Sequence, residues 1–481
     1  MTILSLFDSS KYRIIVTFAL IVICFSLPLF IFSAFRFLLI LILVTIVFTV
    51  CIVLRSIKPI FYAFLFGMFV FNRDFAHLSI HIGSITLYVT EAVLALFILK
   101  NMLLVPFKKI IKEVKTPLDI PFAIYYLIGF ILLIKNLPIY GMIAVRHFVL
   151  VYYALFFYII TDNIRSFEDI QKIVKLCFIG GIISAILLLG RMIPQTNHLI
   201  ELISPKSNTI GRSVSISLSV IFFISLNNYI TNNKVKIVLF FSTLIQILAI
   251  IMGMSRSAWV ALAGSLIFLF IISTENRKYM LSVGIPVLIG VIALIWGYNH
   301  FVNSSFFSNL YTEVSSIYTF DDIKTGSTAN SKWRLESYKT GFQEILQHPL
   351  GKGFGPPAPD IVVGAGQAKG EIDSLIDYHN SPLSILIRTG FLGFAAFLCV
   401  NAIFYYRTIQ FCMKTNKPLH RAYMIGILAG HLSIFINSLF FMVLQVPYMG
   451  VFYWIFMGLG IALIKISNEL KSSEQLLQES H

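Results

Sequence analysis

Long apolar runs separated by short polar turns recur along the whole chain. A run of about 18 or more apolar residues is long enough to cross a hydrocarbon core of roughly 30 Å. The runs are continuously apolar and do not alternate with polar positions, which excludes a transmembrane β-barrel. About fourteen segments can be outlined, near residues 12–33, 35–54, 56–71, 85–105, 118–134, 139–161, 172–193, 213–231, 234–254, 256–273, 279–297, 383–406, 421–443 and 447–465.

This pattern predicts an all-α polytopic membrane protein with about 12–14 transmembrane helices. The segment at 56–71 is short, and one or two segments could be re-entrant, so the count is a range. The chain is 58% hydrophobic and only 12% charged, against about 25% charged residues in a soluble domain. Membrane lipids are therefore its expected surroundings.

The positive charge of the chain is unevenly distributed. The formal net charge is +15, and lysines and arginines cluster in alternate turns such as 108–115 and 414–421. Such clusters are typical of cytoplasmic loops, where they fix the orientation of the helices. We therefore expect no nucleic-acid partner, and we predict that both termini are cytoplasmic.

This orientation divides the chain into four parts. Residues 1–297 would hold transmembrane helices 1 to about 11, and 298–378 would form a large periplasmic or extracellular loop. The C-terminal transmembrane helices would occupy 379–466, followed by a cytoplasmic tail at 467–481. Loops as long as 298–378 are commonly functional.

One helix is predicted within the external loop, from the sequence SKWRLESYKTGFQEILQHP. Ser331 is a suitable N-cap residue, and Pro349 would end the helix. An apolar stripe at helical spacing makes the segment amphipathic. The stripe consists of Tyr338, Phe342, Ile345 and Leu346.

Three arginines and a histidine are predicted to reach the external face together. Arg212 and Arg256 begin apolar segments there, Arg334 lies on the loop helix, and His379 ends the loop. Taken singly, each has an ordinary interpretation, such as a snorkelling anchor or a solvated helix face. Together, guanidinium groups beside an imidazole suit a diphosphate leaving group and a general base. Arg146, inside the sixth segment, needs a partner there, and a phosphate is a candidate.

Other possible sites are weaker. His77 and His81 would share a face if the segment were helical, but no carboxylate partner is evident. Asp321 and Asp322 are interpreted as loop solvation, and the turn GKGFG lacks the Lys-Ser/Thr of a P-loop. None of the five cysteines has metal-ligand spacing. We predict no metal site and no cofactor.

The ordered motifs resemble a known family. His379 and Asn380, then nine residues, then Gly390 to Gly393 in GFLG, are similar to the His-Asn/Ser-x9-GxxG pattern of the bacterial O-antigen ligase and O-antigen polymerase superfamily. SRSAWVALA resembles that family's Ser-Arg-containing span start. WRLESYKTGFQEILQHPLGKGFG resembles its loop helix and glycine-rich end. The resemblance covers about residues 205–445.

This resemblance implies a metal-independent glycosyltransferase of the bacterial cytoplasmic (inner) membrane. It implies an undecaprenyl-diphosphate-linked glycan as donor and a lipid- or glycan-linked acceptor. Arg256 and Arg334 would hold the diphosphate, and His379 would assist the acceptor hydroxyl. Arg212 and Arg146 are secondary phosphate candidates.

The remaining motif residues have expected local roles. Asn380 would bind substrate, fix the local backbone or orient the imidazole. Gly390 and Gly393, about one helical turn apart, would let another helix or a lipid tail approach closely.

Two other functions remain open. A polymerase that joins repeat units to one another is not separated from a ligase, because the acceptor site is unmarked. A transporter or flippase for lipid-linked sugars is a different class, often marked by internal repeats and by charged, broken helices at mid-membrane. Here the charges gather at one predicted face and no repeat is visible, which favours the enzyme.

Overall fold

The computed structural model describes residues 58–82, 85–104, 116–203, 209–274, 326–359 and 378–479, together with isolated positions between 277 and 293. The first two predicted apolar segments lie outside these residues, as do most of the eleventh and much of the 298–378 loop. Asp321 and Asp322 also lie outside them.

The described chain is almost entirely helical. It contains sixteen α-helices, two strands and one 3-10 turn at Asn227–Tyr229. In chain order, the helices and strands are α1 Lys58–Val70, α2 Arg73–Ala76, β1 Ser79–Ile82, β2 Ile85–Tyr88, α3 Val89–Leu104, α4 Asp119–Tyr140, α5 Met142–His147, α6 Val149–Tyr152, α7 Leu155–Asn163, α8 Phe167–Met192, α9 Pro194–Ile203, α10 Thr209–Leu226, α11 Asn233–Met252, α12 Arg256–Ile272, α13 Gly326–Gln347, α14 Ser381–Lys414, α15 Pro418–Ser438 and α16 Pro447–Glu479.

Seven of the described helices are long and apolar enough to cross a membrane. An eighth span is formed if Met142–Tyr152 and Leu155–Asn163, bent by 45°, are taken together; α1 and α12 are shorter apolar helices. These helices follow the predicted apolar segments, and the predicted all-α polytopic class is confirmed. The total of about 12–14 spans includes segments outside the described residues and stays a prediction.

The segment predicted as an apolar helix from residue 85 begins differently. Residues Ile85–Tyr88 pair antiparallel with Ser79–Ile82 before α3 starts at Val89. The β-branched residues of this stretch suit a strand better than a helix start. His77 caps the end of α2, and His81 lies in β1. The shared helical face considered for these two histidines is therefore not formed.

Among the described spans, α16 is the most deeply buried, and its apolar side chains pack against α7, α10 and α15. Small residues allow neighbouring helices to come close: a Cβ on Gly458 would lie 2.7 Å from the Cβ of Ile160. The lipid-accessible side of the bundle is apolar instead. On α4, for example, Ile120 and Leu127 are exposed, as expected for a helix that faces hydrocarbon.

The two ends of the bundle are held by different contacts. At the end that carries α13, the Tyr338 hydroxyl donates to the Leu439 carbonyl at 3.2 Å. At the other end, Lys58 and Asp169 form an ion pair of 2.7 Å. We call the first end, where α4 and α15 finish and where α10, α12, α14 and α16 begin, the loop face.

Candidate functional site

The predicted helix in the loop is present as α13, Gly326–Gln347. It ends two residues before Pro349, as expected. Its start was wrongly placed, because the helix begins at Gly326 and Ser331 lies inside it. Ser331 is compatible with the interior of the helix, so a capping residue type alone does not locate the N-terminus.

Only part of the predicted apolar stripe packs against the bundle. Ile345 is buried with Tyr378 and the start of α14, and Tyr338 packs on the same cluster. Phe342 and Leu346 are 59% and 76% exposed. Successive residues of an α-helix are rotated by about 100° around its axis. Phe342 and Leu346 are therefore rotated away from the side of α13 that carries Tyr338 and Ile345.

Arg334 lies on α13, one turn before Tyr338, and is half-buried. Its Nε is shielded from solvent and has no hydrogen-bond partner among the described residues. Burial lowers the pKa of Arg334; Tyr338 acts in the opposite direction, and the positive charge of Arg256 lowers the pKa further. Arg334 and Arg256 therefore interact electrostatically at the loop face.

Arg256 is placed by a tight turn between α11 and α12. The turn passes through Met254, whose φ of 51° is unusual for a residue with a side chain. Trp259 fastens α12 to α11, since its indole N–H donates to the Ile250 carbonyl at 2.9 Å. Arg256 therefore begins a helix whose start is fixed at the loop face.

His379 also has a left-handed backbone, with φ 46°. Its half-buried ring stands edge-on to Phe441 at a centroid distance of 5.7 Å. The next residue, Asn380, caps α14 by accepting a hydrogen bond from the Leu383 N–H at 2.9 Å. Of the roles expected for Asn380, fixing the local backbone is the one this geometry provides. Strained residues held by rigid neighbours cluster at functional sites.

Tyr338 connects the arginine region to the histidine region. Burial raises the pKa of Tyr338, whereas Arg334 and a hydrogen bond with Asn380 lower it. The same hydroxyl donates to Leu439, in the turn after α15. From the sequence, Tyr338 was predicted only as a member of the apolar stripe. Its position one helical turn after Arg334 could have indicated that its hydroxyl lies near the arginine site.

Gly390 interrupts α14, with φ 70° and ψ −175°. The glycine-rich turn after α13, residues 351–355, lies directly against this break: the Lys352 N–H donates to the Ile387 carbonyl at 2.8 Å, and the Phe391 N–H to the Pro349 carbonyl at 3.0 Å. A Cβ on Gly390 would lie 2.6 Å from the Gly351 nitrogen. A close approach occurs here, but the partner is the glycine-rich turn and not the helix or lipid tail that was predicted for Gly390.

Gly393 has a different environment. A Cβ there would meet the side chain of Thr389 and lie 3.4 Å from Ile128 of α4. The glycine therefore allows α14 to pack against its own preceding turn and close to α4.

Arg388 is a buried arginine that sequence reasoning missed. It is 1% exposed and donates to the Pro356 carbonyl at 2.6 Å and to the Gly353 carbonyl at 3.4 Å. Asn136 of α4 also donates to this turn, reaching the Phe354 carbonyl at 2.9 Å. Because the carbonyls belong to a distant segment, no local pattern around Arg388 could have revealed them.

The two secondary phosphate candidates have other surroundings than those described for Arg256 and Arg334. Arg212 is 1% exposed, donates to the Val70 carbonyl at 3.3 Å and interacts electrostatically with Asp74. These contacts give it a structural role at the end of α1. The half-buried side chain of Arg146, on α5, forms no hydrogen bond or ion pair within the described chain. Their binding roles stay predictions.

The described residues contain no cluster of three or more His, Cys, Asp or Glu side chains able to hold a metal ion. The guanidinium groups of Arg256 and Arg334 instead suit an anion. Guanidinium groups bind phosphate oxygens in a two-pronged arrangement.

The fold and the site define a polytopic helical membrane protein with a cationic site at one end of its bundle. Residues 241–398 match the family model described as O-antigen ligase. The resemblance predicted from the sequence is thereby confirmed, and it supports a polysaccharide ligase or polymerase type of function. No curated protein gives a significant match.

The matched range runs from α11 to the first part of α14. It contains Arg256, Arg334, His379, Asn380, Gly390 and Gly393. Arg212 and Arg146 lie outside it.

Proposed function

We propose that the protein transfers a polysaccharide chain from an undecaprenyl-diphosphate carrier to an acceptor at the outer face of the cytoplasmic membrane. The observation that carries this proposal is that the shielded Arg334 Nε, without a hydrogen-bond partner among the described residues, lies within electrostatic range of Arg256. Tyr338, one turn further along α13, is hydrogen-bonded to Asn380, the neighbour of His379. Two neighbouring positive charges repel each other, and an anion bound between them offsets that repulsion. A diphosphate at the membrane surface supplies that anion.

The proposed chemistry needs only side chains of this site. The acceptor hydroxyl gives its proton to the His379 imidazole while its oxygen attacks the anomeric carbon of the donor glycan. The bond from that carbon to the diphosphate oxygen breaks, and the electron pair leaves with the diphosphate. Arg256 and Arg334 stabilise the negative charge that develops on it. This reaction would be independent of metal ions.

The topology of the proposal requires the loop face to be external. Lysine- and arginine-rich turns at the opposite end, such as 414–421, support that orientation. Arg334 and His379 would then meet a carrier whose glycan already lies outside.

The direct test is transfer in vitro. Purified protein in lipid vesicles would be incubated with an undecaprenyl-diphosphate-linked glycan and a lipid-core acceptor, and the products separated on a gel. A glycan-bearing acceptor is the expected product. A ladder of lengthened carrier-linked chains in the absence of the acceptor would indicate a polymerase. Movement of intact carrier between leaflets with no new glycosidic bond would contradict both and indicate a flippase.

A further inference from the structure

Glu344 links three parts of the loop through one carboxylate. It lies on α13, with its side chain 15% exposed, and accepts a hydrogen bond from Lys352 Nζ at 2.7 Å. Its other oxygen accepts the hydroxyl hydrogen of Tyr378. The glycine-rich turn and the residue immediately before His379 are thus attached to the helix that carries Arg334. The proposed chemistry leaves this carboxylate without a role.

Tyr378 is held at both ends of its side chain. The residue is 1% exposed, and its ring lies in a cluster with Ile345 of α13 and Leu383 and Ile387 of α14. The hydroxyl is fixed by Glu344. A fully packed ring with its one polar atom satisfied has little freedom to move.

His379 is confined between two anchored neighbours. Tyr378 precedes it, and Asn380, which caps α14, follows it. Between them the histidine backbone has φ 46°. A side-chain-bearing residue keeps such a conformation only when its surroundings over-determine it. On the N-terminal side, these surroundings include the Tyr378 cluster and Glu344.

We propose that Glu344 is a positioning residue for His379. Its carboxylate anchors Tyr378, and this anchor holds His379 in its left-handed conformation with its ring beside Phe441. The importance of this placement for glycan transfer rests on the proposed function. The placement itself does not.

The two hydrogen-bond donors to Glu344 should differ in importance. Lys352 Nζ is partly solvated and also reaches the Pro357 carbonyl at 3.2 Å, and partly exposed ion pairs contribute little. The Tyr378 hydroxyl is buried, and a buried donor left without its acceptor is costly. The anchor should therefore depend on Tyr378 and only weakly on Lys352.

The experiment measures histidine accessibility in the purified full-length protein. Wild type, Glu344→Ala, Glu344→Gln, Tyr378→Phe and Lys352→Met would be treated with diethylpyrocarbonate, and the rate of modification at each histidine followed by mass spectrometry. His348, exposed at the end of the same loop helix, is an internal control. Glu344→Gln keeps an acceptor for Tyr378, and Tyr378→Phe keeps the packed ring.

We expect Glu344→Ala and Tyr378→Phe each to speed modification of His379 by about threefold or more, the scale of one lost hydrogen bond. His348 should be unaffected, and Glu344→Gln and Lys352→Met should stay near the wild-type rate. The double variant Glu344→Ala/Tyr378→Phe should equal the single variants, since both remove one interaction. An unchanged His379 rate in both single variants would overturn the proposal. So would equal acceleration at His348, which would show release of the whole loop helix.

An activity measurement separates this proposal from the proposed function. If glycan transfer is observed, kcat of Glu344→Ala should fall while KM for the lipid-linked donor stays unchanged, because Arg256 and Arg334 are intact. A rise in KM with unchanged kcat would contradict positioning of His379. If wild type transfers no glycan, the proposed function fails, and the modification rates still decide whether Glu344 positions the histidine.

Discussion

Arg256 and Arg334 bring two positive charges together at the loop face, although one begins α12 and the other lies on the loop helix α13. The charge of Arg256 contributes to lowering the pKa of Arg334. Arg334 keeps one shielded N–H without a hydrogen-bond partner among the described residues. An anionic ligand would relieve both the repulsion and the missing hydrogen bond.

Arg256→Lys should impair transfer although it keeps the positive charge. An ammonium group cannot reproduce the two-pronged guanidinium contact with phosphate. Loss of one charge-assisted hydrogen bond corresponds to a fall in kcat/KM of roughly 10- to 100-fold. The measurement is the rate of transfer with purified protein. Wild-type activity in Arg256→Lys would exclude a bidentate role for this side chain.

Arg334→Ala should weaken use of the lipid-linked donor, because the side chain reaches the shared site from α13. We expect a decrease in kcat/KM of similar size, roughly 10- to 100-fold. Lys339→Ala is the matched control, since Lys339 is an exposed cation on the same helix. If the two variants were equally active, the cationic site would not involve Arg334.

His379→Ala should abolish most of the transfer while leaving expression and membrane insertion intact. A general base contributes about 10²–10⁴-fold, a loss large enough to see directly in the products on a gel. His348→Ala, at an exposed position of the same loop, should be as active as wild type. Retention of more than a tenth of wild-type activity in His379→Ala would argue against proton transfer by this residue.

Gly390→Ala should destabilise the contact between the loop and α14. Alanine at φ 70° is strained, and its Cβ would lie 2.6 Å from the nitrogen of Gly351. The backbone strain alone is worth about 1–3 kcal/mol. Gly290→Ala is a suitable control, because its Cβ would lie 3.5 Å from Leu244, an ordinary contact. Thermal unfolding in detergent should show a lower midpoint for Gly390→Ala alone.

The spans and the loop helix could be predicted because each produces a recognisable pattern within one continuous segment of the sequence. Apolar runs located the spans, and a 3.6-residue period located α13. The start of α13 was misplaced because Ser331 suits both a cap and a helix interior. Similarly, the apolar run around residue 85 did not reveal a hairpin, because the period of a four-residue apolar run does not separate a strand from a helix.

The parts that were missed depend on contacts between distant segments. The sequence did not indicate that Arg212 donates to the Val70 carbonyl at the end of α1 and interacts electrostatically with Asp74; its phosphate role stays a prediction. In the sequence, Arg388 lies in an apolar run without an acidic residue close to it. The carbonyls of Gly353 and Pro356, 35 and 32 residues earlier in the chain, accept its hydrogen bonds. Only the folded chain shows where such acceptors lie.

Transfer should continue after removal of divalent ions, because arginine side chains would neutralise the diphosphate. The measurement compares purified protein with a chelator, without it, and with the chelator followed by magnesium. Equal rates are expected in all three samples. If activity disappeared with chelator and returned with magnesium, the arginine mechanism would be wrong, and Asp321, Asp322 and Asp377 would become candidate ligands.

The orientation of the bundle decides whether the site can meet its proposed substrate. Lys339 is exposed on α13 at the loop face, and Asn416 is exposed in the turn between α14 and α15 at the opposite end. Each would be changed to cysteine in a background from which the five native cysteines had been removed. Intact cells, or spheroplasts where an outer membrane blocks access, would then be treated with an impermeant thiol reagent.

Lys339→Cys should be labelled in intact cells, whereas Asn416→Cys should be labelled only after the membrane is permeabilised. This outcome follows from the lysine- and arginine-rich turns, which favour the cytoplasm. The reverse pattern would place Arg256, Arg334 and His379 on the cytoplasmic side. Transfer from a carrier whose glycan lies outside would then be impossible at this site, whatever the effects of the individual substitutions.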